Sequence, residues 1–400
     1  MSSIAPTTPA TGGLLTPDHR EILGAADEYA RNVLFPFQQR MDDEEWWPSE
    51  VFPSLGAQGY LGVQAPEAYG GAGLDLVSEG MVGQAISRWN PAVGLSYLAH
   101  ENLCLGNLLA NADDALLQRF APGLIDGSLV GALGLTEPGA GSDALGGMRT
   151  TAVRDGDEYV LNGTKIYITN GPIADVVLVY AKTDLDAGPR GISAFLVETT
   201  TPGFSVAQKL IKMGLRGSPT GELLFEDCRV PAANLVGKEG GGVAVVMNGL
   251  DRERVCLAFS CLGLAERAVD LTIAYARDRE QFGSAIGSFQ MVAAMIAEMY
   301  ADLESLRSMT LDVATEVGNT AFGVAHQHIA TRSAALALVA GNNLMRILDK
   351  AVQVHGGMGF MWETEVNRLY RAGKLYEIGA GTNEVRKSII ASNLLSTRAR

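Results

Sequence analysis

The 400-residue chain is poor in several features, and each scarcity excludes something. Basic charge is in deficit: 31 Lys and Arg stand against 45 Asp and Glu, a net charge of −14. Such a surface repels polyanions, so neither nucleic acid nor an anionic membrane is expected as a partner, and an anionic ligand would need a local basic pocket. Cysteines number four, Cys104, Cys228, Cys256 and Cys261, with no CxxC pair. No histidines stand at metal-ligand spacing beside them, so no metal is expected and the thiols read as reduced core residues of a cytoplasmic protein. No apolar run is long enough to span a bilayer. Residues 1–16 lack the basic start and apolar centre of a secretion leader and read as a disordered tail. No internal repeat is evident. With 47% hydrophobic and 19% charged residues, the chain has the composition of a globular protein, and its length suits two or three domains.

Three textures follow one another. Residues 17–127 read as helical: Thr16-Pro17 offers a cap and an early proline, and Ile22, Leu23, Ala26, Ala30 and Val33 keep a helical period. Glu79 to Trp89 and Leu103 to Phe120 read as further helices. Residues 128–237 turn β-like. Val153 to Val160 is a pair of strands about Asp155-Gly156, Asn162-Gly163 is a second turn signal, and 175–182, 191–197 and 223–225 are short strand-like runs. An antiparallel barrel or sandwich is expected there. Residues 238–400 return to helix after Gly240-Gly241-Gly242, in segments at about 242–279, 288–318, 321–354, 363–372 and 383–395, as in a four-helix bundle. The fold class is α+β multidomain, in the order helical, β, helical.

Within the segment 242–279, Asp251-Arg252-Glu253-Arg254 interrupts an apolar periodic run. Four consecutive charges point all round a helix, so at least one faces the packed side, where a charge must be paired or used. Either this is a solvated turn, or Glu253 is a buried general base and Arg254 and Asp251 hold a substrate rich in phosphate and amide groups. Leu135-Thr136-Glu137-Pro138-Gly139-Ala140-Gly141-Ser142 offers backbone N–H groups and hydroxyls to a polar edge. Lys165-Ile166-Tyr167-Ile168-Thr169 places an aromatic beside hydroxyls, able to stack on a flat ring or to pack in the core. Arg279-Glu280-Gln281-Phe282-Gly283 could complement the helix end or grip a pyrophosphate. Gln353-Val354-His355-Gly356-Gly357 allows close backbone approach, and Glu377-Ile378-Gly379-Ala380-Gly381-Thr382-Asn383-Glu384 leads into a last helix with Thr382 as its cap. His100 reads as a structural histidine. His326 and His328 do not share a helix face.

These motifs, in this order and over nearly the whole chain, resemble the acyl-CoA dehydrogenase family, and within it the isovaleryl-CoA branch. The resemblance implies FAD held between the β domain and the C-terminal bundle. Leu135, Thr136, Gly141 and Ser142 would line the flavin and its phosphates, with Ser142 also near the substrate. Tyr167, Ile168 and Thr169 would lie against the ring, Tyr167 standing where the family often has Trp. Arg279, Gln281, Phe282, Gln353 and Gly357 would reach the FAD of a neighbouring copy, implying a homo-oligomer, usually a tetramer. Thr382 and Glu384 would sit near the cofactor of their own chain. Most relatives carry the base where this chain has Ala380; the isovaleryl branch carries it one residue before the CoA-binding Arg, which is Glu253. Glu377 is the alternative base.

The implied reaction is α,β-dehydrogenation of a short branched acyl-CoA to the 2-enoyl-CoA. Glu253 would take the α-proton, hydride would pass from the β-carbon to flavin N5, and a backbone N–H at or near Glu377 would help to stabilise the thioester oxygen. Arg254 and Asp251 would bind the CoA portion. Leu95, Gly379 and Ala380 would shape the acyl pocket, and electron-transfer flavoprotein would reoxidise the cofactor. Ala372 replaces an Asp usual in relatives. Another acyl-CoA in a specialised pathway, an oxygen-using flavin oxidase or monooxygenase, and a non-enzymatic assembly protein are the alternatives.

Overall fold

The computed structural model describes residues 15–320 and 326–396. The expected tail is shorter than the reading to residue 16: Leu15 is buried in the core, and Thr16 caps the first helix, accepting the His19 N–H at 3.1 Å. Residues 1–14 lie outside the described residues.

The first part is helical: α1 (Pro17–Tyr29), α2 (Gln38–Glu44), α3 (Val51–Ala57), α4 (Leu76–Trp89), α5 (Pro91–Leu98), α6 (Asn107–Asn111) and α7 (Asp114–Asp126). The single helix expected from Leu103 to Phe120 is broken. A π-helical stretch, Ala99–Gly106, runs into α6, and Asp113 then caps α7 by accepting the Leu116 N–H at 2.8 Å. The side-chain cap supplies what the interrupted backbone ladder lacks. His100, within the π-helical stretch, is a satisfied structural residue: Nε2 bonds the Leu124 carbonyl at 2.8 Å and Nδ1 accepts the Gly131 N–H at 3.0 Å.

The sheet holds β1 (Gly131–Gly134), β2 (Thr151–Asp155), β3 (Glu158–Thr169), β4 (Val176–Lys182), β5 (Ile192–Glu198), β6 (Phe204–Lys209), β7 (Thr220–Pro231) and β8 (Leu235–Val236), ordered β6-β7-β3-β2-β4-β5-β8 with β1 on β4. It is mixed rather than antiparallel, since β4 runs parallel to β1 and meets β2 in parallel at Thr151–Lys182. The connections into β4 are crossovers, which parallel pairing requires. Asn162-Gly163 is not a turn. It lies inside β3 at a register shift against β7, where a side chain at Gly163 would strike Thr150 and Asn162 bonds Asp227 instead. In β4, Val176, Leu178 and Tyr180 face the helices with Leu105, Leu108 and Phe120. Val177, Val179 and Ala181 face Tyr159, Leu161 and Phe225 on the other side. A strand covered on both faces loses the polar alternation, as β4 and β5 do.

The C-terminal part packs α8 (Gly242–Asp278), α9 (Gln290–Gly318), α10 (Gln327–His355), α12 (Glu365–Gly373) and α13 (Asn383–Leu395) as a bundle, with the short α11 (Gly357–Phe360) after α10. Residues 321–325, which open the expected segment 321–354, lie outside the described residues. Helix α8 is central. Val255, Phe259, Leu262 and Ala265 share one core with α4, α9 and α10, and Gly80 on α4 admits the Phe259 ring. No helix among the described residues is long and apolar enough to cross a membrane.

Candidate active site

The charged interruption of α8 is buried: Arg252, Glu253 and Arg254 are 9%, 7% and 3% exposed. The three side chains meet different environments. Arg254 donates from Nη1 to Asp251 Oδ1 at 2.9 Å, and Ser333 on α10 donates to the same oxygen at 2.6 Å. The Arg254 Nε, also buried, has no partner among the described residues. Glu253 makes no hydrogen bond among the described residues. Burial pushes its carboxyl up to about 7 from an ordinary 4.5, although Arg254 and Arg386 pull the other way. A carboxyl poised near neutrality in a dry setting is a competent proton acceptor. Glu377, the alternative base, is engaged by Lys374 at 2.5 Å.

The segment between α12 and α13 is tied toward this carboxyl by Arg386, which bonds the Gly379 carbonyl and acts electrostatically on Glu253. Gly379 is partly buried, and Leu95 and Ala380 both pack on the core that α8 builds. Ala380 and Gly381 take left-handed backbone conformations, φ 56° and 82°. The N–H groups of Ile378 and Gly379 bond the Leu375 carbonyl, whereas those of Ala380 and Gly381 bond nothing among the described residues. Two unused donors that follow the Gly379 carbonyl gripped by Arg386, itself a charge near Glu253, could serve a developing oxyanion. Thr382 caps α13 by accepting the Val385 N–H at 3.3 Å, and Glu384 is exposed at the same helix start.

The loop after β1 and the end of β3 form a second surface. The Ile166 N–H donates to the Thr136 carbonyl at 2.9 Å, and Lys165 Nζ reaches the Leu135 carbonyl at 3.1 Å and Glu137 Oε1 at 2.8 Å. Glu137 also accepts the N–H groups of Arg149 and Thr150 and the Thr150 hydroxyl, closing the loop that carries Gly141 and Ser142. At the second register shift of β3, Tyr167 adopts φ 63° and stands 67% exposed, while Ile168 turns into the core. A strained, outward aromatic is a common mark of a ligand surface. The hydroxyls of Thr136, Ser142 and Thr169 bond nothing among the described residues. An exposed ring rimmed by unused hydroxyls and an open Gly141 fits a flat heterocycle with polar edges.

The remaining motifs gather at the far end of the bundle. Arg279 ends α8, and Glu280–Gln281 pairs with Ser284–Ala285 around Phe282, which is 97% exposed. His355 stacks on Tyr275 at 4.3 Å, bringing exposed Gln353 and Gly357 to the same end. Among the described residues, no hydrogen bond, ion pair or ring contact joins these two segments to the loop 135–142 or to residues 165–169.

Two groups escaped the sequence reading. Arg386 on α13 is fully buried beside Glu253 and Arg254. Between α4, the π-helical stretch and α8 lies a polar network. Glu79 accepts from Gln64, Asn102 and Cys256, while Arg252 donates to Gln64 at 2.6 Å. Glu101 accepts the Gly62 and Val63 N–H groups at 2.8 Å each. Of these residues only Arg252 stands in a stretch singled out by the sequence reading, the charged run 251–254.

Three family profiles cover the chain: Acyl-CoA dehydrogenase, N-terminal domain, over residues 16–128; middle domain, over 132–228; and C-terminal domain, over 240–395. The sequence is 42% identical over 393 residues to the mitochondrial isovaleryl-CoA dehydrogenase of Pongo abelii, covering 97% of this chain and 91% of that protein. Butyryl-CoA dehydrogenase from Megasphaera elsdenii superposes with a TM-score of 0.91 at 34% identity, over 96% of this chain and 99% of the other. An FAD complex of PigA superposes with a TM-score of 0.89 at 31% identity, over 95% and 98%.

Proposed function

The chain belongs to the acyl-CoA dehydrogenase family, and on that premise we propose that it oxidises a short branched acyl-CoA of the isovaleryl type, with Glu253 as its base. The protein is an oxidoreductase acting on a CH–CH bond, and FAD is its cofactor. Bound FAD supplies the hydride acceptor for the β-hydrogen.

Glu253 removes the α-proton. The observation that carries this assignment is the buried Glu253 carboxyl, free of hydrogen bonds among the described residues and raised to about 7, in a chain that has Ala380 where most relatives carry the base. The unused N–H groups of Ala380 and Gly381 are placed to meet the thioester oxygen as negative charge develops there. Arg254, held by Asp251, which Ser333 steadies in turn, keeps its Nε for an acceptor on the CoA portion. Leu95, Gly379 and Ala380 leave room for a branch at C3. Leu135, Thr136, Gly141, Ser142, Tyr167, Ile168 and Thr169 would hold the flavin, with Thr382 and Glu384 close by.

Arg279, Gln281, Phe282, Gln353 and Gly357 would serve the cofactor of a neighbouring copy. The exposed apolar side chains of Phe282, Met291 and Phe360 support an assembly, which we take to be a homotetramer. Electron-transfer flavoprotein is the proposed acceptor, and the four free, buried thiols suit the cytoplasm.

Anaerobic mixing with isovaleryl-CoA tests the core of this reading. Wild type should bleach its visible flavin band rapidly, and Glu253→Gln, with FAD bound, should lose at least 1,000-fold in rate. Equal bleaching in both would shift the base to Glu377. FAD-loaded wild type that bleaches only with straight-chain substrates would refute the branched acyl class.

A further inference from the structure

Arg386 is the largest fully buried side chain among the described residues, and its environment is specific. Nη1 donates to the carbonyls of Tyr376 at 2.8 Å and Ala337 at 3.1 Å and to Asn383 Oδ1 at 3.0 Å. Nη2 donates to the Gly379 carbonyl at 2.7 Å. One guanidinium thus ties α10, the turn before Ile378 and the start of α13 together. The turn it grips leads directly into Ala380 and Gly381, whose N–H groups are unused. No carboxylate bonds this cation; every acceptor it touches is neutral. An arginine buried without a bonded counter-ion is costly unless a charge lies close by, and the charges around it are Glu253 and Glu377, with Arg254 opposing them.

We propose that Arg386 is a positioning residue for the dehydrogenation. Its planar fork fixes the turn 376–379, so that the free N–H groups at 380 and 381 stay in register with Glu253, and its fixed charge steadies the Glu253 carboxylate once that carboxylate forms. This proposal rests on Glu253 being the base. Glu253 is faced by Arg254 from its own helix, by Arg386 from α13 and by the buried Tyr180 hydroxyl from β4. Arg386 itself is faced by Cys261 and Arg254 on α8 and by Glu377. A Lys at 386 would keep the charge but could not span three carbonyls; a Gln would lose both.

The test follows the rate of anaerobic flavin bleaching by isovaleryl-CoA against pH in wild type, Arg386→Gln, Arg386→Lys and Glu253→Gln, with FAD content and unfolding temperature measured on each. Wild type should lose rate as pH falls through about 7. Removing a nearby positive charge raises a carboxyl pKa, so the acid limb of Arg386→Gln should move up by about one pH unit. Arg386→Lys should keep the wild-type limb and lose on the order of tenfold in kcat with little change in KM. FAD-loaded Arg386→Gln with an unmoved limb would overturn the proposal. Should Arg386→Gln not fold, Arg386→Lys decides alone, and wild-type kcat in that variant overturns it. Glu253→Gln bleaching at the wild-type rate would instead remove the base assignment, and this proposal with it.

Discussion

Replacing Glu253 by Gln should make the protein more stable, and increasingly so as pH rises. In the folded chain the carboxyl titrates near 7 instead of its ordinary 4.5. Its folded pKa is raised, so the folded state holds the proton that the unfolded state releases between those values, and stability falls as pH climbs from 4.5 through about 7. At 1.36 kcal/mol per pKa unit the full penalty above pH 8 is about 3 kcal/mol. About half of it is already present at pH 5.5. Gln is neutral at every pH and nearly the same size, so the advantage of the variant should widen by about 2 kcal/mol from pH 5.5 to pH 8. For roughly 400 residues unfolding together that is about 2 °C in Tm. The assay is scanning calorimetry of wild type and variant at the two pH values, at equal protein and FAD concentrations, since bound cofactor also moves Tm. A variant less stable than wild type at pH 8, or an advantage that shrinks with pH, would refute a desolvated carboxyl at this position.

Three further outcomes are expected. Glu137→Ala should strip Lys165 of its buried counter-charge and lower stability by about 3 to 5 kcal/mol, read by denaturant unfolding, while Glu137→Gln should lose less. Tyr167→Ala should weaken FAD binding about tenfold, measured by flavin fluorescence, whereas Tyr167→Trp should bind as wild type does. Burial lowers His100 to about 4 from 6.5, so wild type should lose up to about 3 kcal/mol of stability as pH falls from 6.5 to 4. His100→Gln should show a flatter acid limb in pH-dependent unfolding, and an unchanged limb would count against the neutral, doubly bonded ring.

What was legible in the sequence depended on how local its cause was. Helix α8 was readable because its apolar period persists for ten turns, and the charged interruption stood out against it. The break between α6 and α7 was missed although Asp113 is a plain cap signal, because the apolar period continues on either side of it. Asn162-Gly163 misled in the opposite direction. Asn-Gly favours a turn locally, but the partner strand β7 extends past it and absorbs it as a register shift. The outward pose of Tyr167 comes from such a shift and could not be read from residue types. The partners of Arg386, Glu79, Glu101 and Arg252 were illegible for another reason: only packing distant segments together brings those charges their partners.

Helix α8 carries Glu253 near its start and Arg279 just past its end. At 1.5 Å per residue those positions are about 39 Å apart along one rod. On the proposed reading, the Arg279 end lies too far from Glu253 to serve the flavin that works with it, and would serve the cofactor of a neighbouring copy. Retention of the coenzyme would then be a property of the proposed assembly. On dilution, apparent FAD affinity should fall with protein concentration, and surface substitutions at Phe282, far from the reacting carbons, should bleed colour from the enzyme before they slow its chemistry.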